Sequence, residues 1–249
     1  MNSRLEARPR SQEELETLRA NTAGMSNADR RLRYEARREA VPVVVAALAV
    51  LVLLALVSRI EGWEVLQSIR WWTWLLLGIP EVLLLVDFLF VSRLAGTRRL
   101  ALVLLGILVL GNLTGLSILV AGLVSTSSEH LSGGELLLTG AALWLTNVFV
   151  FGLWFWEVDA GGPVARARHP RRKPDFQFSQ DDNPQLAEDD WSPQVWDYLY
   201  VSLTNSIAFS PTDSMPLTRH AKGSMALGSM ISVVAVLLVA ARAVNVLNT

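Results

Sequence analysis

Carboxylates buried in apolar runs are the residues of this chain best placed to do chemistry. One run holds two of them, Glu81 directly after Pro80 and Asp87 six residues later. An ionisable group at such a depth is costly and faces a partner, a cavity or a path. On a helix the two stand about 9 Å apart along the axis and roughly 120° apart around it, so they cannot share one narrow crevice. Glu81 is therefore read either as a proton- or cation-linked group or as a protonated carboxyl bonded to a neighbouring helix. Asp87 is expected to pair with Arg93 or Arg98 near the end of its run. Asn112 and Thr114 in the next run, and Asn147 in the one after, are the natural partners at Glu81's depth.

A second polar set lies just before the last apolar run. Ser192-Pro193 reads as an N-cap and first helical residue, and Val195, Trp196, Leu199, Tyr200 and Leu203 follow at helical spacing. This helix is too short to span, and Pro211 and Pro216 stop it. Thr204, Asn205, Ser206, Ser210 and Asp213 are its candidate pore or polar-path residues. Two geometries fit: an amphipathic helix in the interface, or a half-helix that dips into the bilayer and returns through an irregular stretch covered by protein or water. Ser210 and Asp213 are expected to cap that turn, with Pro211 fixing the dihedral between them.

No enzyme constellation stands out, and neither a catalytic set, a metal site nor a cofactor is expected. Cysteine is absent, which removes thiolate and disulfide chemistry. His130, His169 and His220 sit in a loop, a linker and a membrane boundary without triad or metal-ligand spacing. There is no glycine-rich phosphate loop. Glu157 and Asp159 are close enough to share a cation, but a solvated helix end explains them better.

The elements that carry these residues follow from length. Apolar residues make up 51% of the chain and charged ones 18%, the charges collected into the first 40 residues and a few loops. About 20 apolar residues cross roughly 30 Å of hydrocarbon. Five spans are expected: residues 41–57, 71–91, 100–124, 135–156 and 223–246. The fold class is an all-α polytopic membrane bundle, divided into a charged tail (1–40), a four-helix region (41–156), a linker (157–191) and a hairpin with the last helix (192–249). Trp71, Trp72, Trp74, Trp154 and Trp156 read as interface anchors. Gly111 and Gly115 form a Gly-xxx-Gly pair, read as bundle packing before a dimer signal. Arg242 is expected to snorkel to the interface.

The charged amino-terminal segment reads as a cytoplasmic tail without a signal peptide. Its Arg30, Arg31, Arg33, Arg37 and Arg38 are expected to contact anionic lipid headgroups, with no nucleic-acid role. Arg93, Arg98 and Arg99, then Arg166, Arg168, Arg171, Arg172 and Lys173, fall on the same side as that tail, so the positive-inside rule places the amino terminus in the cytoplasm. The linker, broken by Pro163, Pro170, Pro174 and Pro184, suits a mobile or loosely docked segment. Only Lys173 and Lys222 among 22 basic residues are lysine, which points to a GC-rich bacterial genome and an inner (plasma) membrane location.

From Tyr198 to Val246 the chain resembles the carboxy-terminal region of a family of uncharacterised bacterial multipass membrane proteins, whose last helix follows a similar Tyr-Ser-Thr-rich turn and Thr-Arg cluster. The same stretch resembles, more distantly, the pore region of potassium channels. That resemblance sets Tyr200, Ser202 and Thr204 on the pore helix, Asp213 at the end of the filter, and Pro216 and Arg219 at the start of the inner helix. The filter itself is missing, since Ala208-Phe209-Ser210-Pro211-Thr212 stands where a carbonyl-lined Thr-Val-Gly-Tyr-Gly strand would be needed. Two function classes follow. One is a non-transporting scaffold or sensor acting through its tail and linker. The other is a channel or small-ion transporter with the hairpin and Glu81 along its path, possible as a homo-oligomer.

Overall fold

The computed structural model describes residues 31–32, 34–62, 72–90, 97–124, 133–169, 173–189, 191–208 and 213–247. Five helical stretches are long and apolar enough to cross a membrane: Tyr34–Ile60, Trp72–Leu89, Arg98–Ala121, Gly134–Arg168 and Arg219–Ala241. Each coincides with one expected span, and the protein is an all-α helical bundle. Its outer surface is apolar: Leu53, Val103, Leu110, Met230 and Leu237 are each about 60% exposed. A soluble protein would hide these side chains; a bilayer solvates them.

Helix α1 (Val41–Ile60) carries Pro42 in its first turn, where the missing N–H costs nothing. The second span is broken into α2 (Trp72–Leu77) and α3 (Ile79–Leu89). Pro80 offers no N–H to the Leu76 carbonyl, which ends the first half. Gly78 sits at the break, where a Cβ would crowd the Leu75 carbonyl oxygen of α2 at 3.3 Å and make ordinary contact with Leu48 Cδ2 of α1 at 3.5 Å. Helices α4 (Thr97–Val124) and α5 (Gly133–Val158) form the third and fourth spans.

Beyond α5 a 3-10 turn (Asp159–Gly161) leads to the short α6 (Pro163–Arg168), strand β1 (Phe176–Phe178) and α7 (Ser179–Asp182). Helix α8 (Val195–Ala208), strand β2 (Ser214–Pro216) and α9 (Arg219–Leu247) complete the described chain. The two strands pair antiparallel, Phe176 with Pro216 and Phe178 with Ser214.

Helix α5 is the hub, in contact with α9, α8, α4 and α1. Small residues set the distances. A Cβ on Gly152 would lie 2.6 Å from Leu199 Cδ2 of α8, one on Gly140 2.5 Å from Val239 Cγ2 of α9, and one on Gly228 of α9 3.1 Å from the Phe151 ring. The Gly-xxx-Gly pair works the same way inside the bundle, Gly111 against Leu77 and Gly115 against Leu143.

Two expectations change here. The linker is folded onto the bundle. Phe176 and Phe178 are each 1% exposed, and their rings join Phe155, Tyr198 and Trp191 in one aromatic layer with centroids 5.2 to 6.2 Å apart. Proline and charge set the composition of this segment, but two phenylalanines at alternate positions supply the buried area that docks it. Trp156 is likewise no interface anchor. It is fully buried, edge-on to Phe88 at 5.9 Å, and its indole N–H donates to Glu39 at 2.7 Å. Trp72, by contrast, is 44% exposed at the start of α2, as an anchor would be.

Candidate functional site

Three polar centres are built into this apolar frame. The first is a buried ionic triad at the Val158 end of the bundle. Arg37, in the helical turn before α1, donates through Nη1 to Asp87 Oδ2 at 2.8 Å and through Nη2 to Glu157 Oε1 at 2.7 Å. All three side chains are at most 2% exposed, and the guanidinium lies over the Phe88 ring at 5.6 Å. Arg98 approaches from α4, its Nε–H reaching the Glu157 carbonyl at 3.4 Å. Asp87 therefore pairs with Arg37, from a segment 50 residues earlier, in place of the expected Arg98; Arg93 lies outside the described residues.

Two other expectations are corrected by the same contacts. The Arg37 side chain is buried in its ion pairs and offers no surface to a headgroup, and Glu157 is buried where a solvated helix end was expected. In a low-dielectric setting a guanidinium with two bidentate-capable carboxylates in reach is held by them and not by water. Arg31 and Arg38 remain exposed, Arg38 with its guanidinium 5.9 Å from the Tyr34 ring. Arg30 and Arg33 lie outside the described residues, as does the Arg242 side chain.

The second centre is a latch between the end of α5 and the elements after it. Asp159, 1% exposed, accepts from the backbone N–H of Asp175 at 2.5 Å and of Phe176 at 3.2 Å, and from the Tyr198 hydroxyl at 2.5 Å. Burial pushes the Tyr198 phenol well above its ordinary range, which keeps it protonated and donating. Asp175 returns the contact, accepting from the Ala160 N–H at 3.0 Å and from the Thr218 hydroxyl at 2.7 Å. Thr218 also caps α9 by accepting from the Ala221 N–H. The reciprocal arrangement needs a sharp chain reversal. Ala160, Gly161 and Gly162 all have positive φ, and Ala160 at 48° is the only non-glycine residue of that kind among the described residues.

The latch fixes α8. Tyr198 meets Asp159, Leu199 covers Gly152, and the Ser202 hydroxyl donates to the Val148 carbonyl at 2.8 Å, so α8 runs antiparallel to α5. On α9, Asn205 Nδ2 donates to the Met225 carbonyl at 3.0 Å, and the Ser229 hydroxyl donates to the Asn205 carbonyl at 3.2 Å. From Asp159 to Val148 the helix follows about 16 Å of α5, half of a roughly 30 Å hydrocarbon layer. Helix α8 thus lies along α5 and not across it, and residues 209–212, which lead away from it, lie outside the described residues.

Its described polar residues are engaged as follows. Thr204 bonds back to the Tyr200 carbonyl of its own helix, Asn205 is spent on α9, and Ser206 is buried at 2%. Asp213 accepts from the Ser179 hydroxyl at 2.8 Å, tying β2 to the start of α7. Ser210, like the turn it was expected to cap, lies outside the described residues.

The third centre is at mid-bundle. Asn112 and Asn147 do meet, Nδ2 to Oδ1 at 3.5 Å, with the Thr146 hydroxyl 3.4 Å from Asn112 Oδ1. Asn147 extends the thread to α9, donating to the Gly228 carbonyl at 3.0 Å and to Ser232 Oγ at 2.9 Å. Glu81 does not join it. Its carboxyl borders a cavity of about 320 Å³ between α1, α2, α3, α4 and α5, and Oε2 has no hydrogen-bond partner. Among the described residues no three His, Asp or Glu side chains are grouped to hold a metal ion.

Tyr198 has no site role in the sequence reading, whereas Arg37, read there as a headgroup contact, and Glu157 and Asp159, read as a possible cation pair or a solvated helix end, take other roles in the triad and the latch. Arg37 was hidden in a basic run. The chance that Tyr198 and Asp159 would meet rests on a fold that places residues 39 apart side by side. No family model matches the chain, and no curated protein or solved structure matches it either.

Proposed function

We propose that this chain is a non-transporting membrane protein of the bacterial inner membrane, amino terminus in the cytoplasm, acting as a scaffold or sensor through the face built at the Val158 end. The observation that carries this reading is the use to which the hairpin's polar groups are put. Ser202, Asn205 and Ser229 are consumed in bonds to helix backbone, so they serve as interhelical glue and not as ligands for a permeating ion. The docked linker, with α6, β1 and α7, gives that face a defined shape for a partner to read.

A second reading, a small-ion path, rests on the unpartnered carboxyl of Glu81. Flux separates them. Purified protein in liposomes, assayed with proton- and potassium-sensitive dyes, is expected to give the same leak as empty liposomes. A specific flux that Glu81→Gln abolishes would replace the scaffold reading with the transporter.

A further inference from the structure

The cavity beside Glu81 has the composition of a ligand site. Native interiors hold few voids larger than a water molecule, and about 320 Å³ falls at the lower end of small-molecule pockets, roughly 300–1,000 Å³. Its lining is led by eight leucines, with Ile107, Trp74 and the two glycines of the Gly-xxx-Gly pair, which leave room where side chains would otherwise fill it.

Of its polar side chains, Asn112, Thr114 and Thr146 are already hydrogen-bonded, which leaves Glu81 and Thr139. Glu81 is 2% exposed and Thr139 5%, and both Glu81 Oε2 and Thr139 Oγ1 are without hydrogen-bond partners. No lysine, arginine or histidine lines the space. A buried carboxyl with an unsatisfied oxygen costs free energy that a donor or a cation entering the cavity would recover.

Access is lateral. Leu76, Ile107 and Leu110 line the cavity and are 51%, 45% and 64% exposed on the apolar outer surface. A molecule reaching Glu81 by this route passes between α2 and α4 from the lipid, not through the charged Val158 end. It must therefore be apolar enough to dissolve in hydrocarbon and must carry a hydrogen-bond-donating head.

We propose that this cavity binds a small lipophilic amine from the bilayer, its ammonium group paired with Glu81 and hydrogen-bonded to Thr139, its apolar body among the leucines of α1 and α4. The inference deepens the sensor reading and rests on it for the meaning of the signal. Ion flux tests that reading and binding tests this one, so the two fail separately.

The test uses the full chain in nanodiscs, with 4-phenylbutylamine as probe and butylbenzene as its uncharged counterpart, titrated by calorimetry and corrected with empty nanodiscs. The wild type is expected to bind the amine saturably and at least about tenfold more tightly than butylbenzene, as a charge-assisted bond in a desolvated site would give. Glu81→Gln should remove that preference. Ala142→Phe, which fills the cavity from α5 and leaves the carboxyl in place, should abolish binding of both probes. Equal binding of amine and butylbenzene by the wild type, or an unchanged amine affinity in either variant, would overturn the proposal. Should Glu81→Gln fail to give monodisperse protein, the wild-type comparison of the two probes and Ala142→Phe still decide it.

Discussion

At the scale of single residues, Arg37 carries the greatest consequence. It neutralises two carboxylates from two different spans, Asp87 and Glu157, in a place water does not reach. Arg37→Met leaves them as adjacent buried carboxylates without their ion-pair partner and should cost about 3–5 kcal/mol, the usual penalty for breaking a buried pair by removing one partner. The loss is read as a fall in the temperature at which detergent-solubilised protein stops eluting as a monodisperse peak. Replacing all three, Arg37→Met with Asp87→Leu and Glu157→Leu, should recover most of it. Arg37 Nε, Asp87 Oδ1 and Glu157 Oε2 have no partners even in the native arrangement, so the intact triad is itself incompletely satisfied. Tyr198→Phe is a milder probe of the latch. Asp159 keeps its two backbone donors, so the expected cost is about 1.5–3 kcal/mol, the scale of one hydrogen bond to a charged group. The sequence marked Asp87 and Glu81 as unusual because a charge inside an apolar run is visible by itself. It could not mark Arg37, which stands among five arginines and is distinguished only by contacts 50 and 120 residues away.

At the scale of elements, α8 was legible as a short helix from its Ser-Pro start and apolar spacing, but not in its depth. Depth is set by glycine on the neighbouring span. Gly152→Ala would put a methyl 2.6 Å from Leu199 Cδ2 and 3.1 Å from Leu199 Cα. The second distance is to backbone, so trimming Leu199 does not relieve it and α8 must shift, at about 1–3 kcal/mol for overpacking. In a chain without native cysteine this is measured directly. Ser202→Cys, 1% exposed at the α8–α5 contact, should resist maleimide in the otherwise native protein and react once Gly152→Ala is added. Gly140→Ala is the contrasting case. The nearest atom there is the end of the Val239 side chain, so Val239→Ala should restore what Gly140→Ala loses. The linker shows the same limit of sequence reading. Prolines and charges dominate its composition, and the two phenylalanines that dock it count for little in an average.

At the scale of the whole molecule, the five spans were legible because hydrocarbon thickness imposes a length that any sufficiently apolar run reveals. Sidedness rests on the arginine distribution alone and calls for its own measurement. Lys173 and Gly134, both exposed, lie at opposite ends of α5 or just past it. With the amino terminus inside, Lys173→Cys should react with an impermeant maleimide only after the membrane is opened, and Gly134→Cys should react in intact cells. The reverse pattern would invert the topology and move the docked face outside.

The triad also sets an order of events during synthesis. Arg37 leaves the ribosome 120 residues before Glu157, its second partner, which at roughly 5–20 residues per second is an interval of about 6–24 s. For that time the first span cannot settle to its final depth without burying an uncompensated cation. Its neighbour Asp87 arrives part-way and relieves half the demand. The triad can be complete only after the fourth span has been made, so its closure is expected to join the first, second and fourth spans late in synthesis.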